Sequence, residues 1–225
     1  PITLQPDPGS GMFSSRPSRR TFVTHLAALA GASVLLPQAS FASPSAIPGD
    51  EPEAWLKALN GKHRQLFHAH DKWTNGIEYA RRFKTAYPKE YGVQPSDVDA
   101  VLAAHGKTGA TTYVDAAWEK YGFGKMFDVE DPKTNSLATS NIYYAGTDDD
   151  PGIREALSDG VVVLSCRTAM RGMAKELAEQ KKFGTAEEIE RDLTASLIPG
   201  VILVPAMIIA IGRAQEQHCT YVYTG

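Results

Sequence analysis

Apolar positions fall along the chain in short blocks whose spacing changes from block to block. Arg64–His70 (RQLFHAH) and Val98–Ala104 (VDAVLAA) read as strands. Gly160–Ser165 (GVVVLS) is the clearest strand, a β-branched run suited to burial on both faces. Val201–Val204 and Cys219–Tyr223 bring the strands to five. Between them the apolar period lengthens to that of a helix. Ile77, Ala80, Arg81 and Lys84 share one face of a helix from Asn75 to Tyr87, which Pro88 ends. Residues 111–127 predict a second helix, with Val114, Ala117, Trp118 and Tyr121 on one side. Further helices are predicted over Gly152–Leu157, Arg167–Lys182 and Ala186–Leu197. Thr185 and Glu188 form a capping box at the start of the last of these. Pro205 sits in the first turn of a final helix running to about Gln217. Residues 128–151 read as one loop, long enough for a compact domain to mark it for function or assembly. Strands alternating with helices predict a doubly wound α/β domain over residues 62–225, with a mainly parallel sheet of five strands.

The first forty residues carry a different pattern. Residues 1–11 are rich in Pro and Gly and precede Met12; they read as a leader. Ser18-Arg19-Arg20-Thr21-Phe22 is a twin-arginine pattern, followed by a moderately apolar stretch from Phe22 to Leu36 and by Ser40 and Ala42 at the −3 and −1 positions of a cleavage site. Basic region, apolar region and small-residue site together make a signal peptide rather than a membrane span. The arginine pair points to the twin-arginine (Tat) route, hence to a periplasmic protein that meets the Tat translocon during export. Residues 43–61, with prolines at 44, 48 and 52, read as a tether. Removing residues 1–42 takes away three arginines and one aspartate, so the net charge moves from −3 to −5.

That acidic balance argues against a nucleic-acid binder. Hydrophobic residues at 43% and charged residues at 22% exclude a disordered chain. Two cysteines are too few for a disulfide-built scaffold. Leu197–Gly212 is the one further apolar stretch; it falls short of the roughly 20 residues a spanning helix needs and is interrupted by Pro199, Gly200 and Pro205, so no stable membrane span is expected. No P-loop, GxGxxG, CxxC, CxxCH or GxSxG motif is present, which argues against NTPase, dinucleotide, thioredoxin-like, cytochrome c and α/β-hydrolase chemistry. The acid run Asp148-Asp149-Asp150 lacks EF-hand spacing and reads as a solvated turn. Trp73, Tyr79, Tyr87, Trp118, Tyr121 and Phe127 fall at helical spacings and read as core and subunit interface rather than a cofactor box.

Cys166 is the main chemical candidate. It ends a buried strand and directly precedes a helix, where partial positive charge favours a thiolate. Ligands of open α/β sheets bind at the carboxyl ends of strands. Arg167 and Arg171 are placed to hold an anion such as sulfite or thiosulfate. The competing reading is an inert cysteine packed behind the strand. Cys219 opens the last strand and reads as a core residue rather than a partner for Cys166.

A set of features in the last third resembles the DsrE/DsrF-like (YchN-like) family. The matching residues are Gly160-Val161-Val162-Val163-Leu164-Ser165-Cys166 and Met170-Arg171-Gly172-Met173. After them come Leu197-Ile198-Pro199-Gly200-Val201, Val204-Pro205, and Gln215-Glu216-Gln217 leading to Tyr221-Val222-Tyr223. The resemblance covers residues 152–225 well and 62–151 in layout. It implies a three-layer α/β/α fold with sheet order 2-1-3-4-5, a trimer or hexamer, and in some members a sulfur relay through a cysteine persulfide. The chain departs from that pattern by its export signal, its insert at 128–151 and a first strand ending in His68-Ala69-His70. With the implied order, His68 or His70, His105 and Cys166 converge at one sheet edge, a donor set suited to Zn or Cu; a lone His is more often a hydrogen-bonded structural residue. The reading is therefore an exported DsrE-like protein with sulfur or thiol chemistry at Cys166. The alternatives are a small-molecule or metal-binding oligomer, or an accessory subunit without chemistry of its own.

Overall fold

A parallel sheet needs strands that are apolar on both faces, and Val98–Ala104 supplies the centre of one. All of its residues are buried except Asp99. The computed structural model describes residues 53–71, 73–146 and 152–225. The segments expected to be leader and signal peptide, most of the expected tether and the run Asp148–Asp150 lie outside the described residues. The elements in chain order are α1 (Ala54–Lys57), β1 (His63–Ala69), α2 (Asn75–Thr85), α3 (Tyr87–Tyr91), β2 (Val98–Ala104), α4 (Asp115–Tyr121), α5 (Phe123–Phe127), β3 (Glu130–Asp131), β4 (Ser136–Leu137), α6 (Ile142–Ala145), α7 (Ile153–Ser158), β5 (Val162–Cys166), α8 (Arg167–Glu179), α9 (Ala186–Ala195), β6 (Ile202–Val204), α10 (Met207–Glu216) and β7 (Thr220–Tyr223).

Five strands form one all-parallel sheet flanked by helices, in accord with the predicted three-layer α/β/α class. On one face Phe67, Ala69, Leu102 and Val163 pack against Ile77 and Ala80 of α2 and Ile153 and Ala156 of α7. On the other, Leu66, Val101, Ala103, Leu164 and Val204 pack against Met207, Ile211 and Ala214 of α10. A third cluster joins α4, α5, α8 and α9 through Trp118, Phe123, Met170, Leu177, Ile189 and Leu193.

The strand order corrects the expected 2-1-3-4-5. The sheet runs β6-β5-β2-β1-β7, so β2 rather than β5 lies at the centre, β2 rather than β1 is the middle one of β1, β2 and β5, and the last strand pairs with β1 rather than with β6. Three successive crossovers step the same way across the sheet and the fourth returns past its starting strand. The reversal therefore falls between β1 and β7.

Several local expectations also change. Trp55, Leu56 and Leu59 are buried in the α10-side core, so the last residues assigned to the tether belong to the domain. Pro88 opens α3 rather than closing all helical structure, because the first helical turn has no use for the missing N–H. The helix predicted over 111–127 is divided: Gly106–Thr112 is a 3-10 turn, and Gly122, at φ +65, separates α4 from α5. Within 128–151, β3 and β4 form a short antiparallel hairpin. Gly124 fixes α5 against it, since a Cβ there would lie 2.0 Å from the Ala138 carbonyl oxygen. Helix α10 starts at Met207, two residues after Pro205.

Candidate functional site

Cys166 ends β5 and is the N-cap of α8. Its side chain is 4% exposed. The sulfur accepts two backbone N–H groups, from Ala169 at 3.4 Å and from Met207 at 3.3 Å. These belong to the first turns of α8 and α10, so two helix N-termini aim their partial positive charge at one sulfur. Beside it opens a cavity of about 220 Å3 at the carboxyl ends of β2 and β5. Its walls include Tyr113, Met126, Phe127, Met170 and Met173, with Glu176 at the α8 side. Burial, with Cys166 nearby as a further cause, holds the Tyr113 phenol well above its ordinary range. Tyr113 therefore remains a neutral O–H donor beside Ser165 and the sulfur.

The wall formed by Gly106–Thr112 is locked by hydroxyls. Thr108 Oγ1 lies 2.6 Å from the Ala69 carbonyl and 2.7 Å from the His105 carbonyl. Buried Asn141 donates from Nδ2 to the carbonyls of Thr111 (2.9 Å) and Tyr113 (2.7 Å), and its Oδ1 accepts the Tyr143 N–H (3.1 Å). Sequence reasoning passed over Thr108 and Asn141. The density of Thr and Gly in Gly106–Thr112 was a signal for the first; nothing local marked the second, whose partners lie 28 and 30 residues back.

The two arginines are not at the cavity. Arg171 Nε donates to both carboxylate oxygens of Glu190 at 3.0 and 3.1 Å, and Arg167 Nη1 lies 3.5 Å from the same group. Glu190 stands on α9, across the α8–α9 hairpin, and neither arginine lines the cavity.

The three histidines do gather. His68 Nε2 lies 3.3 Å from His105 Nδ1, and His68 Nδ1 lies 2.9 Å from the Tyr221 hydroxyl. His70 packs edge-on to His105 at 5.1 Å between ring centres, and its Nδ1 lies 3.0 Å from Asp71 Oδ1. Burial first, and then the neighbouring imidazoles, push the pKa of His68 and of His105 down. Tyr223 pairs in register with His68, which places this cluster at the β1–β7 reversal, where open α/β sheets leave a crevice. Cys166 does not join it. Strand β2 separates β1 from β5, and Gly106 stands between the two sites: it lines the cavity, and a Cβ at this position would lie 2.6 Å from His70 Nε2. Among the described residues no group of three or more His, Cys, Asp or Glu side chains is arranged to hold a metal ion. The ligand set expected for Zn or Cu is therefore not assembled, because it depended on β1 lying between β2 and β5.

Neither the protein-family models nor the curated protein sequences give a match to this chain. The site must be read from its own geometry. Cys166 and Cys219 are both free thiols, and burial pushes the Cys219 thiol up, away from reactivity. No helix among the described residues is long and apolar enough to cross a membrane.

Proposed function

We propose that this is an exported sulfur-handling protein in which Cys166 accepts and passes on sulfur. The observation that carries the reading is the pair of N–H groups converging on the Cys166 sulfur in the lining of a partly open cavity. Two oriented donors offset negative charge on sulfur, the form that attacks. The step is displacement at sulfur: Cys166 bonds to the outer sulfur of a donor R–S–SH, the donor S–S bond breaks, and R–S⁻ leaves and takes the proton that Cys166 gave up. The resemblance to DsrE/DsrF-like proteins and the twin-arginine pattern support the same reading of chemistry and compartment. A homo-oligomer belongs to it as well, supported by the outward-facing Ile208 and Ile209 of α10, 75% and 60% exposed.

The test is the intact mass of natively purified protein with and without reductant, followed by the alkylation rate of the reduced thiol at neutral pH. A reductant-labile gain of one sulfur atom on Cys166, and alkylation faster in the folded than in the denatured chain, is the expected result. A bare thiol that alkylates only after denaturation would remove the reading and leave Cys166 as a packing residue.

A further inference from the structure

The cavity's lining says which sulfur compounds suit it, provided Cys166 is the reacting group as proposed above. Among the described residues lining it, Glu176 is the one charged side chain, and it forms no ion pair. Arg167 and Arg171 of α8 are both engaged by Glu190, and among the described residues no Lys or Arg lines the cavity. The two N–H groups that would otherwise meet an anion already point at Cys166 itself. Apart from the hydroxyls of Ser165 and Tyr113, the rest of the wall is largely apolar and polarizable, with three of the chain's five methionines, Met126, Met170 and Met173, beside Phe127. Methionines adapt to irregular apolar ligands and contact aromatic rings favourably. An anion entering here would give up water, meet the Glu176 carboxylate and find no cation in the lining, a cost that the Tyr113 and Ser165 hydroxyls offset only in part. A volume of about 220 Å3 suits one substituted ring or a short alkyl chain, since an apolar cavity of about 150 Å3 takes benzene.

We infer that the Cys166 cavity takes uncharged, apolar sulfur donors, organic disulfides or thiosulfonates of about one ring in size, and turns away anionic donors such as thiosulfate. The geometry thus reverses the anion preference that Arg167 and Arg171 suggested. The Cys166 sulfur attacks one sulfur of R–S–S–R, the old S–S bond breaks, and a Cys166–S–S–R bond forms. The departing R–S⁻ takes up the proton that Cys166 gave to solvent. The Cys166 sulfur is oxidised to the disulfide level, and the departing sulfur is reduced, to a thiol when the donor is a disulfide and to a sulfinate, R–SO2⁻, when it is a thiosulfonate.

Three methanethiosulfonates of similar size test this on the folded chain: the neutral ethyl, the anionic sulfonatoethyl and the cationic aminoethyl reagent. Each rate is divided by that of a small free thiol, and the modified residue is mapped by peptide mass. The neutral reagent is expected to exceed the anionic one at least tenfold beyond the free-thiol ratio. Glu176→Gln and, separately, Glu190→Gln, which frees the two arginines, should each narrow that gap several-fold. A ratio equal to that of the free thiol, or faster reaction with the anionic reagent, overturns the inference while leaving Cys166 reactive. No modification of Cys166 by any of the three, with full modification after denaturation, overturns the sulfur-handling proposal and this inference with it.

Discussion

Asn141 ties the segment behind the cavity wall together through its side-chain amide. It is 5% exposed, and its amide satisfies two carbonyls of the cavity wall that have no route to water. Replacing it with Leu keeps the volume and strands both carbonyls. The expected loss is about 2–4 kcal/mol of stability, given the cost of leaving buried acceptors unpaired. A urea-unfolding midpoint for Asn141→Leu within error of the parent's would show that the wall closes by other means. The histidines act at the same scale. Burial holds His68 and His105 below the ordinary value of 6.5, so at neutral pH both are uncharged in the folded and the unfolded chain. As pH falls below 6.5 the unfolded chain binds protons first, and stability rises with pH across that window. The contribution is whole above 6.5 and is lost as pH drops through the depressed folded values. Unfolding free energy measured from pH 7.5 down to about 5 should fall on acidification, and His68→Gln with His105→Gln should flatten the slope. An unchanged slope in that double variant would place the acid sensitivity elsewhere.

Elements were legible where one local rule decides them. The run Val161-Val162-Val163-Leu164 has no polar face to present and becomes the buried strand β5. Thr185 and Glu188 form the capping box their spacing predicts: Thr185 Oγ1 accepts the Glu188 N–H at 3.2 Å, and Glu188 accepts the Thr185 N–H at 2.8 Å. Elements were misread where a single backbone angle decides. Ala117, Trp118, Tyr121 and Phe123 keep a near-helical apolar rhythm straight across Gly122, so the left-handed turn that divides α4 from α5 leaves the pattern intact. The site divides in the same way. That Cys166 ends a strand and starts a helix follows from neighbours in the chain. Its second donor, Met207, is 41 residues away, and the carboxylate that takes Arg167 and Arg171 is 23 and 19 residues away. No spacing rule reaches that far.

For the whole molecule, the layered parallel class was legible and the strand order was not. Each strand's apolar run is the same whether its neighbour is β5 or β7, and right-handed crossovers permit both arrangements. The metal expectation changed with the order, because β2 rather than β1 takes the middle place and sets Cys166 on β5 two strands from His68 and His70. Assembly is tested at this scale too. Exposed Ile208 and Ile209 adjoin the end of the sheet that carries Cys166, since α10 starts one N–H away from its sulfur. An Ile208→Lys, Ile209→Lys double variant should lower the mass seen by sedimentation to that of one chain while the far-ultraviolet dichroism stays unchanged. A parent protein that already sediments as a single chain would remove the oligomer from the proposal.

The pairing of β7 with β1 also sets a timetable. The two are joined by contacts such as Thr220 Oγ1 to the Arg64 carbonyl, 156 residues apart. While the chain is being made, β1 can find β2 early, but its other edge stays bare until Tyr223 has emerged. A bare edge recruits other strands, and contacts of such long separation form late. A machine that exports only finished proteins would have to wait for this strand, and a ribosome pausing anywhere between β6 and β7 would leave a sheet one strand short, open on the side where the histidines stand.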